Sequence, residues 1–378
     1  MAAEVWVTDA ASVTALGRNL EELWRRLLWG RSAIAPVVRF SVKDYKSRFA
    51  ACIEDLNCSG SLSAIHDLLG RLFKEMGPIP TDAQLYTATT KAGIDNLERM
   101  HRGEPADASD VLVTAIANQV TRHLNLTHKG TNISAACASS AIAVAKGAAL
   151  IAAGRAECVL VCCMDLVTEF VFSGFSALGA LSPKPCIPFD RKRSGLTLGE
   201  GAASLLLMTA DRATKEGRPH LGTVLGWGVA NDAFHVTAPA PDGCGLLAAM
   251  GQALKRACLK PEAVSAVCAH GTGTVYNDQM ELTAYDQFFG DRRLPVYSIK
   301  GAIGHTLGAA GGIEVAVGLK SLSESLVPPT VGFSKGEEST AGRVSSRVET
   351  MSGNYLLSTN SGFGGINAAL ILAKGRGA

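Results

Sequence analysis

Neither sign of charge dominates this sequence. Its 36 lysines and arginines face 34 aspartates and glutamates, a net charge of +2. No Lys/Arg block breaks that balance, so nothing in the charge pattern supports nucleic-acid binding. Histidine and cysteine do not recur at metal-ligand spacing: HExxH and CxxC are both missing, and no metal centre is expected. The phosphate loop GxxxxGK[ST] is absent too. Gly195-Leu196-Thr197-Leu198-Gly199-Glu200-Gly201 has the wrong spacing for a dinucleotide loop. Met1 to Val7 has neither a basic start nor a long apolar core, so a signal peptide is not expected. The most apolar long stretch, Ala135 to Gly154, is alanine-rich and contains Lys146. It reads as a buried helix, not a membrane span.

What is present is material for a large core. Of 378 residues 47% are apolar and only 19% charged, enough for two or three domains or one large layered α/β unit. Forty glycines imply many tight turns and close backbone approaches. The ten cysteines are irregularly spaced, several of them in strand-like runs such as Cys158-Val159-Leu160-Val161-Cys162-Cys163. Nine read as buried, reduced thiols of a cytoplasmic protein, with no disulfide framework.

The pattern alternates helices and strands. Val5–Val7 reads as a strand and Asn19–Leu28 as a helix stopped near Gly30. Residues 35–80 are irregular, while Leu85–Leu97 and Ala108–Leu126 read as helices. From Ala138 a helix runs to Gly154, followed by a strand over Cys158–Met164 whose unbroken apolar run suits a strand covered on both faces. Another strand spans Ala202–Met208. A second half starts near His220, with strands at Gly222–Val229, Ala263–Ala269, Pro295–Ile299, Tyr355–Ser358 and Ala368–Ala373. Helices lie between them at Leu246–Ala257, Gln279–Phe289 and Gly308–Leu322. This order implies an α/β fold with buried sheets.

Three small-residue segments carry the chemistry. Cys137 lies in Ser134-Ala135-Ala136-Cys137-Ala138-Ser139-Ser140, just before a helix. A free thiol titrates near ~8.5, and a helix N-terminus favours its thiolate. The backbone N–H of a nucleophile in a tight turn also serves as half of an oxyanion hole. Taken alone, the segment fits a buried structural cysteine equally well. His270 ends a strand before Gly271-Thr272-Gly273-Thr274, where glycines admit a ligand and threonines offer hydroxyls. His305 follows Gly304 and precedes Gly308-Ala309-Ala310-Gly311. Lys300, five residues upstream of His305, is either a surface lysine or a group that orients a histidine or carboxylate. Gly362-Phe363-Gly364-Gly365 is either a plain glycine turn or a gate around one aromatic.

Together these segments resemble the β-ketoacyl-acyl carrier protein synthase (ketosynthase) family of the thiolase superfamily. Its decarboxylating branch carries a Cys–His–His set, matched by Cys137, His270 and His305. Phe175 to Pro183, Pro188-Phe189-Asp190, Gly199-Glu200-Gly201-Ala202, Asp232 to Pro239 and Gly304 to Gly311 match as well. The likeness runs from about Asn132 to the C-terminus and includes Val13–Gly17 and Leu27–Ile34, whereas residues 40–125 match poorly and are shortened. The resemblance implies a thiolase-like five-layered αβαβα fold of two similar halves, 1–215 carrying the cysteine and 216–378 carrying the histidines. It also implies a dimer, homodimeric or paired with a related ketosynthase-like subunit, and an acyl carrier protein as partner. No cofactor is implied, since substrates ride on the carrier's phosphopantetheine arm.

In the implied reaction Cys137 takes an acyl group, malonyl carrier loses CO2, and the resulting enolate attacks the acyl-enzyme. His270 and His305 stabilise the enolate, and Lys300 sets the electrostatics beside Glu314. Thr272 and Thr274 hold the phosphopantetheine arm. The N–H groups of Cys137 and Phe363 form the oxyanion hole, with Phe363 gating between Gly362 and Gly364. Asp278 and Asn367 are expected to support the site. Ser361 replaces a usual Phe and Ile366 a usual Thr, a Ser-Gly-Phe-Gly-Gly form similar to ketosynthases of type II polyketide systems. Two other readings stand beside this one. A non-condensing chain-length-factor-like partner is disfavoured by Cys137, and an acyltransferase or thioesterase would leave the second histidine and Lys300 unexplained.

Overall fold

A computed structural model describes residues 3–376. Ten strands form one sheet: β1 (Val5–Thr14), β2 (Gln84–Ala88), β3 (Thr131–Ile133), β4 (Cys158–Asp165), β5 (Gly201–Thr209), β6 (Gly222–Asn231), β7 (Ala266–Cys268), β8 (Val296–Tyr297), β9 (Tyr355–Gly362) and β10 (Ile366–Lys374). Outward from the junction, one half runs β1-β5-β4-β2-β3 and the other β6-β10-β9-β7-β8. The order is first-fifth-fourth-second-third in both. The senses repeat as well: the two pairs nearest the junction strand are antiparallel and the outer two parallel. A short antiparallel contact, Trp6↔Thr223 and Val7↔Gly222, joins the halves.

The flanking helices are α1 (Ile65–Glu75), α2 (Val113–His123), α3 (Ser139–Ala152), α4 (Cys244–Ala257), α5 (Val275–Phe289) and α6 (Ala310–Glu324). Helices α3 and α6 pack on each other and touch strands of both halves, forming the central layer. Helices α1 and α2 cover one half from outside, α4 and α5 the other. The result is the layered αβαβα arrangement. Burial explains the composition: 10 of 14 residues are buried in α3 and 12 of 15 in α6. A helix enclosed all round needs no polar face, which accounts for the alanine-rich run after Ala135. Among the described residues no helix is long and apolar enough to cross a membrane.

Several expectations need correction. Leu85–Leu97 is not one helix: β2 comes first, then a turn with Ala92 at φ 48°, then a helix at Asp95–His101. The strand forms because it is central, paired in parallel with both β3 and β4. The irregular stretch 35–80 contains α1, whose buried Ile65, Leu68, Leu69 and Leu72 stand at helical spacing. Strands β1 and β9 run well beyond the short segments read from sequence. All ten cysteines are free, but Cys58, Cys244 and Cys258 are exposed and Cys52 is half-buried. Those four lie in loops or at helix ends, Cys52 just past the short strand Phe49–Ala51.

Residues 35–56 are held to the rest of the chain by a short strand pairing of Ala50 and Ala51 with Leu198 and Gly199 and by one ion pair. Arg39 donates both guanidinium nitrogens to the fully buried Glu200 at 2.6 Å, and Glu200 also accepts from Ile53 N and Val167 N. Removing one partner of such a pair strands a buried charge. Arg39→Ala is therefore expected to destabilise the protein by roughly 3–5 kcal/mol, measured as a lowered urea midpoint at unchanged slope.

Candidate active site

The reactive side chains all sit just past strand ends. Cys137 follows β3, His270 follows β7, and Lys300 and His305 follow β8. Such carboxyl ends are where α/β sheets bind ligands. The turn before Cys137 is forced: Ala136 has φ 48°, and Ser139 Oγ accepts from Ala135 N (2.8 Å) while donating to Ala136 O (2.6 Å). Helix α3 starts two residues after the sulfur. His305 is held by its backbone, with its N–H on Thr197 O (2.7 Å) and its carbonyl on Gly199 N (2.9 Å). Gly199 permits this approach, since a Cβ there would meet Ile303 O at 2.0 Å. Ser140 Oγ accepts from Gly312 N (2.9 Å) and ties the starts of α3 and α6 together.

Residues 133 and 168 positions from Cys137 thus become its neighbours. His305 Nε2 lies 3.0 Å from Cys137 Sγ. The His270 and His305 rings meet edge to face, centroids 5.1 Å apart. His270 Nδ1 faces Lys300 Nζ at 3.4 Å and Asn360 Nδ2 at 3.5 Å. An ammonium only donates, so Nδ1 is the acceptor and the ring proton sits on Nε2. Lys300 also donates to Glu314, whose second oxygen accepts from Asn360 Nδ2 at 2.7 Å. Exposure is 7% for Cys137, 2% for His270 and 1% each for His305, Lys300 and Glu314.

Burial governs the protonation states. It pushes the Cys137 thiol up to about 11, against the pull of Lys300. The helix start therefore does not make a standing thiolate, contrary to the expectation from sequence: loss of solvent outweighs it. Burial, with Lys300 beside them, holds both imidazoles well below their usual 6.5, so both are neutral at neutral pH. The sulfur and the two rings have donor atoms within 4.8 Å of one another, as expected of the Cys–His–His set. The Nε2 proton on His270 makes that group a hydrogen-bond donor to the cavity and not a metal ligand.

A cavity of about 500 Å³ leads to this set. Thr272 and Thr274 line it, their hydroxyls 2.9 Å apart, and so do Gly362, Phe363 and Gly364. The Phe363 N–H lies close enough to the Cys137 sulfur to pull its thiol down slightly, and its ring stacks on Phe175 with centroids 5.7 Å apart. Asp278 accepts from the N–H groups of Phe189, Thr272 and Gly273, bracing the threonine loop. Asn367 accepts from Ser361 Oγ (2.7 Å) and donates to Gly365 O (3.0 Å), bracing the glycine turn. A larger groove of about 1430 Å³ lies elsewhere, by residues 50–56 and α1. Its Arg71 and Arg26 are spent on Asp55, Asp67 and Glu22, and it holds none of these groups.

Sequence reasoning missed Asn360, Glu281 and Phe175. Asn360 and Phe175 stand inside matched segments. Glu281 lies three residues after Asp278, one helical turn on, and accepts from His270 N and Gly271 N.

Known proteins share this arrangement of elements. Residues 81–213 match the family model "Beta-ketoacyl synthase, N-terminal domain" and residues 221–334 match "Beta-ketoacyl synthase, C-terminal domain". The match leaves out residues before 81, so the poorly matching stretch is narrower than the 40–125 expected. The 3-oxoacyl-[acyl-carrier-protein] synthase 2 of Rhizobium meliloti (strain 1021) is 30% identical, covering 98% of this chain and 98% of its own. That of Synechocystis sp. is 29% identical with 98% of both chains covered. Among solved structures, the ishigamide ketosynthase/chain length factor superimposes with TM-score 0.91 at 26% identity, over 99% of this chain and 100% of that one.

The raised thiol makes a direct prediction. Alkylation of Cys137 by iodoacetamide is expected to accelerate steadily from pH 7 to 10, with no plateau near the ~8.5 of a free thiol. A plateau below pH 8 would mean a standing thiolate.

Proposed function

The chain belongs to the beta-ketoacyl synthase family and is a condensing β-ketoacyl-[acyl carrier protein] synthase, and from that premise we propose how its residues divide the work. One observation carries the assignment: Cys137 Sγ lies 3.0 Å from His305 Nε2, beside a His270 whose tautomer is set by Lys300.

Cys137 attacks the thioester carbonyl of an acyl group on its carrier. Its proton passes to His305 Nε2 and then to the departing phosphopantetheine sulfur. A thiol raised to about 11 needs this nearby base. The oxyanion of the tetrahedral intermediate lies against the N–H groups of Cys137 and Phe363.

Malonyl carrier enters next along Thr272 and Thr274. Its thioester oxygen accepts N–H bonds from Nε2 of His270 and, once the ring proton of His305 has moved from Nδ1 to Nε2, from His305. These donors stabilise the enolate left when the carboxylate departs as CO2. Two neutral imidazoles suit this role, because they donate without surrendering a proton. The enolate carbon attacks the Cys137 thioester, a carbon–carbon bond forms, and Cys137 leaves as thiolate to be reprotonated. Phe363, packed on Phe175, covers the acyl group.

The Ser361-Gly362-Phe363 turn and the likeness to the ishigamide enzyme favour a polyketide or polyene substrate series. The chain works as a dimer, either with its own copy or as the catalytic half beside a chain-length-factor-like subunit. Ten unpaired cysteines favour a reducing, cytoplasmic setting.

Intact mass after incubation with acyl carrier and then malonyl carrier tests the scheme. The expected result is an acyl adduct on the wild type, none on Cys137→Ala, and a β-keto product two carbons longer. Condensation by Cys137→Ala would overturn the assignment. Acylation without condensation would point to a missing partner subunit or a wrong extender.

A further inference from the structure

We infer that Asp165 is a positioning residue for His305, acting through the turn Thr306–Gly308. The inference rests on the ketosynthase reading for its meaning, but its geometry stands apart from that reading.

Asp165 ends β4 and is fully buried. Its first oxygen accepts from Thr89 Oγ1 (2.7 Å), Thr90 N (3.0 Å) and Lys91 N (3.3 Å). Its second accepts from Thr90 Oγ1 (2.8 Å) and Gly308 N (2.7 Å). Every partner is a neutral donor, two hydroxyls and three backbone amides. Both oxygens must therefore accept at once, which a carboxylate does and an amide of the same shape does not. The carboxylate joins three segments: β4, the turn after β2, and the chain leaving His305.

That last segment needs an anchor. Upstream, His305 is fixed by Thr197 and Gly199. Downstream, Leu307 adopts φ 53°, a left-handed conformation disfavoured for any residue with a Cβ. Such conformations persist only where the surroundings over-determine them. The Gly308 N–H on Asp165 follows immediately. Packing is close enough that a Cβ on Gly308 would meet the Asp165 carboxylate at 2.8 Å and Thr90 Cγ2 at 3.1 Å. Releasing this bond frees the turn, and with it the ring that must stay 3.0 Å from Cys137 Sγ.

A double-mutant cycle on the full chain tests this, with Asp165→Asn and His305→Ala as its arms. Two rates are read: alkylation of Cys137 by iodoacetamide, which needs no substrate, and CO2 release from malonyl carrier. Asp165→Asn alone is expected to slow CO2 release toward the His305→Ala value, by up to about a hundredfold, and to slow alkylation less, because losing the carboxylate's charge also eases ionisation of the thiol. In the His305→Ala background it should add almost nothing. A merely structural role would instead add its loss in both backgrounds. Leu206→Ala, a core truncation remote from the carboxylate, controls for stability: its melting point should fall while the cycle stays unaffected. If Asp165→Asn does not fold, Gly308→Ala probes the same contact from the other side and should give the same non-additive pattern. Wild-type rates in Asp165→Asn and Gly308→Ala, or equal losses in both backgrounds, would overturn the inference. A wild type that is alkylated normally but releases no CO2 would refute the ketosynthase reading and leave the alkylation cycle valid.

Discussion

Lys300 and Glu314 meet where almost no water reaches, and the state of every reactive group depends on that pair. Two charges taken out of solvent cost about as much as their attraction returns, so such a pair is a poor device for stability. Its value lies in what the ammonium does to its neighbour. Lys300 offers only donors, so His270 must present a lone pair at Nδ1 and a proton at Nε2. The same charge, added to burial, keeps both imidazoles neutral. Glu314 and Asn360 confine the ammonium to that position. An apolar pair of equal volume would pack as well and leave the histidine tautomer undetermined.

Neutral donors and a protonated thiol fit together. A permanently ionised cysteine beside two imidazolium rings would be an ion cluster needing water around it. Here the groups are buried, and the charge appears only as bonds are made. The proton passes over 3.0 Å to His305 as the sulfur attacks, so no charged ground state has to be carried. The expectation that a helix start favours the Cys137 thiolate weighed one favourable term and omitted the larger cost of desolvation.

Much of this was legible in the sequence because the chemistry demands small residues around it. Cys137, His270 and His305 each stand in runs of Ala, Gly, Ser or Thr, and Lys300 and Glu314 lie within a few turns of His305. The repeated strand order was only faintly visible, since the two halves share topology and not residues. Asp165 was invisible: it closes an apolar strand and finds its donors 74 to 76 and 143 positions away. Strand β2 was read as helix because its pairing with β3 and β4, not its local pattern, decides its conformation. Helix α1 is different, for its apolar spacing was there to be read.

The duplicated fold explains why the site lies where it does. Each half sends one helix into the central layer, α3 behind Cys137 and α6 behind His305, and their starts abut. A Cβ on Gly311 would come within 2.7 Å of Ala141 N, and Ser140 bonds Gly312. The positive ends of two buried helices therefore converge on one small volume. Such a convergence is unfavourable unless negative charge meets it. One anion is permanent: Asp165, on the backbone N–H that leads into α6. The others are transient, an oxyanion at Cys137 and an enolate between the histidines.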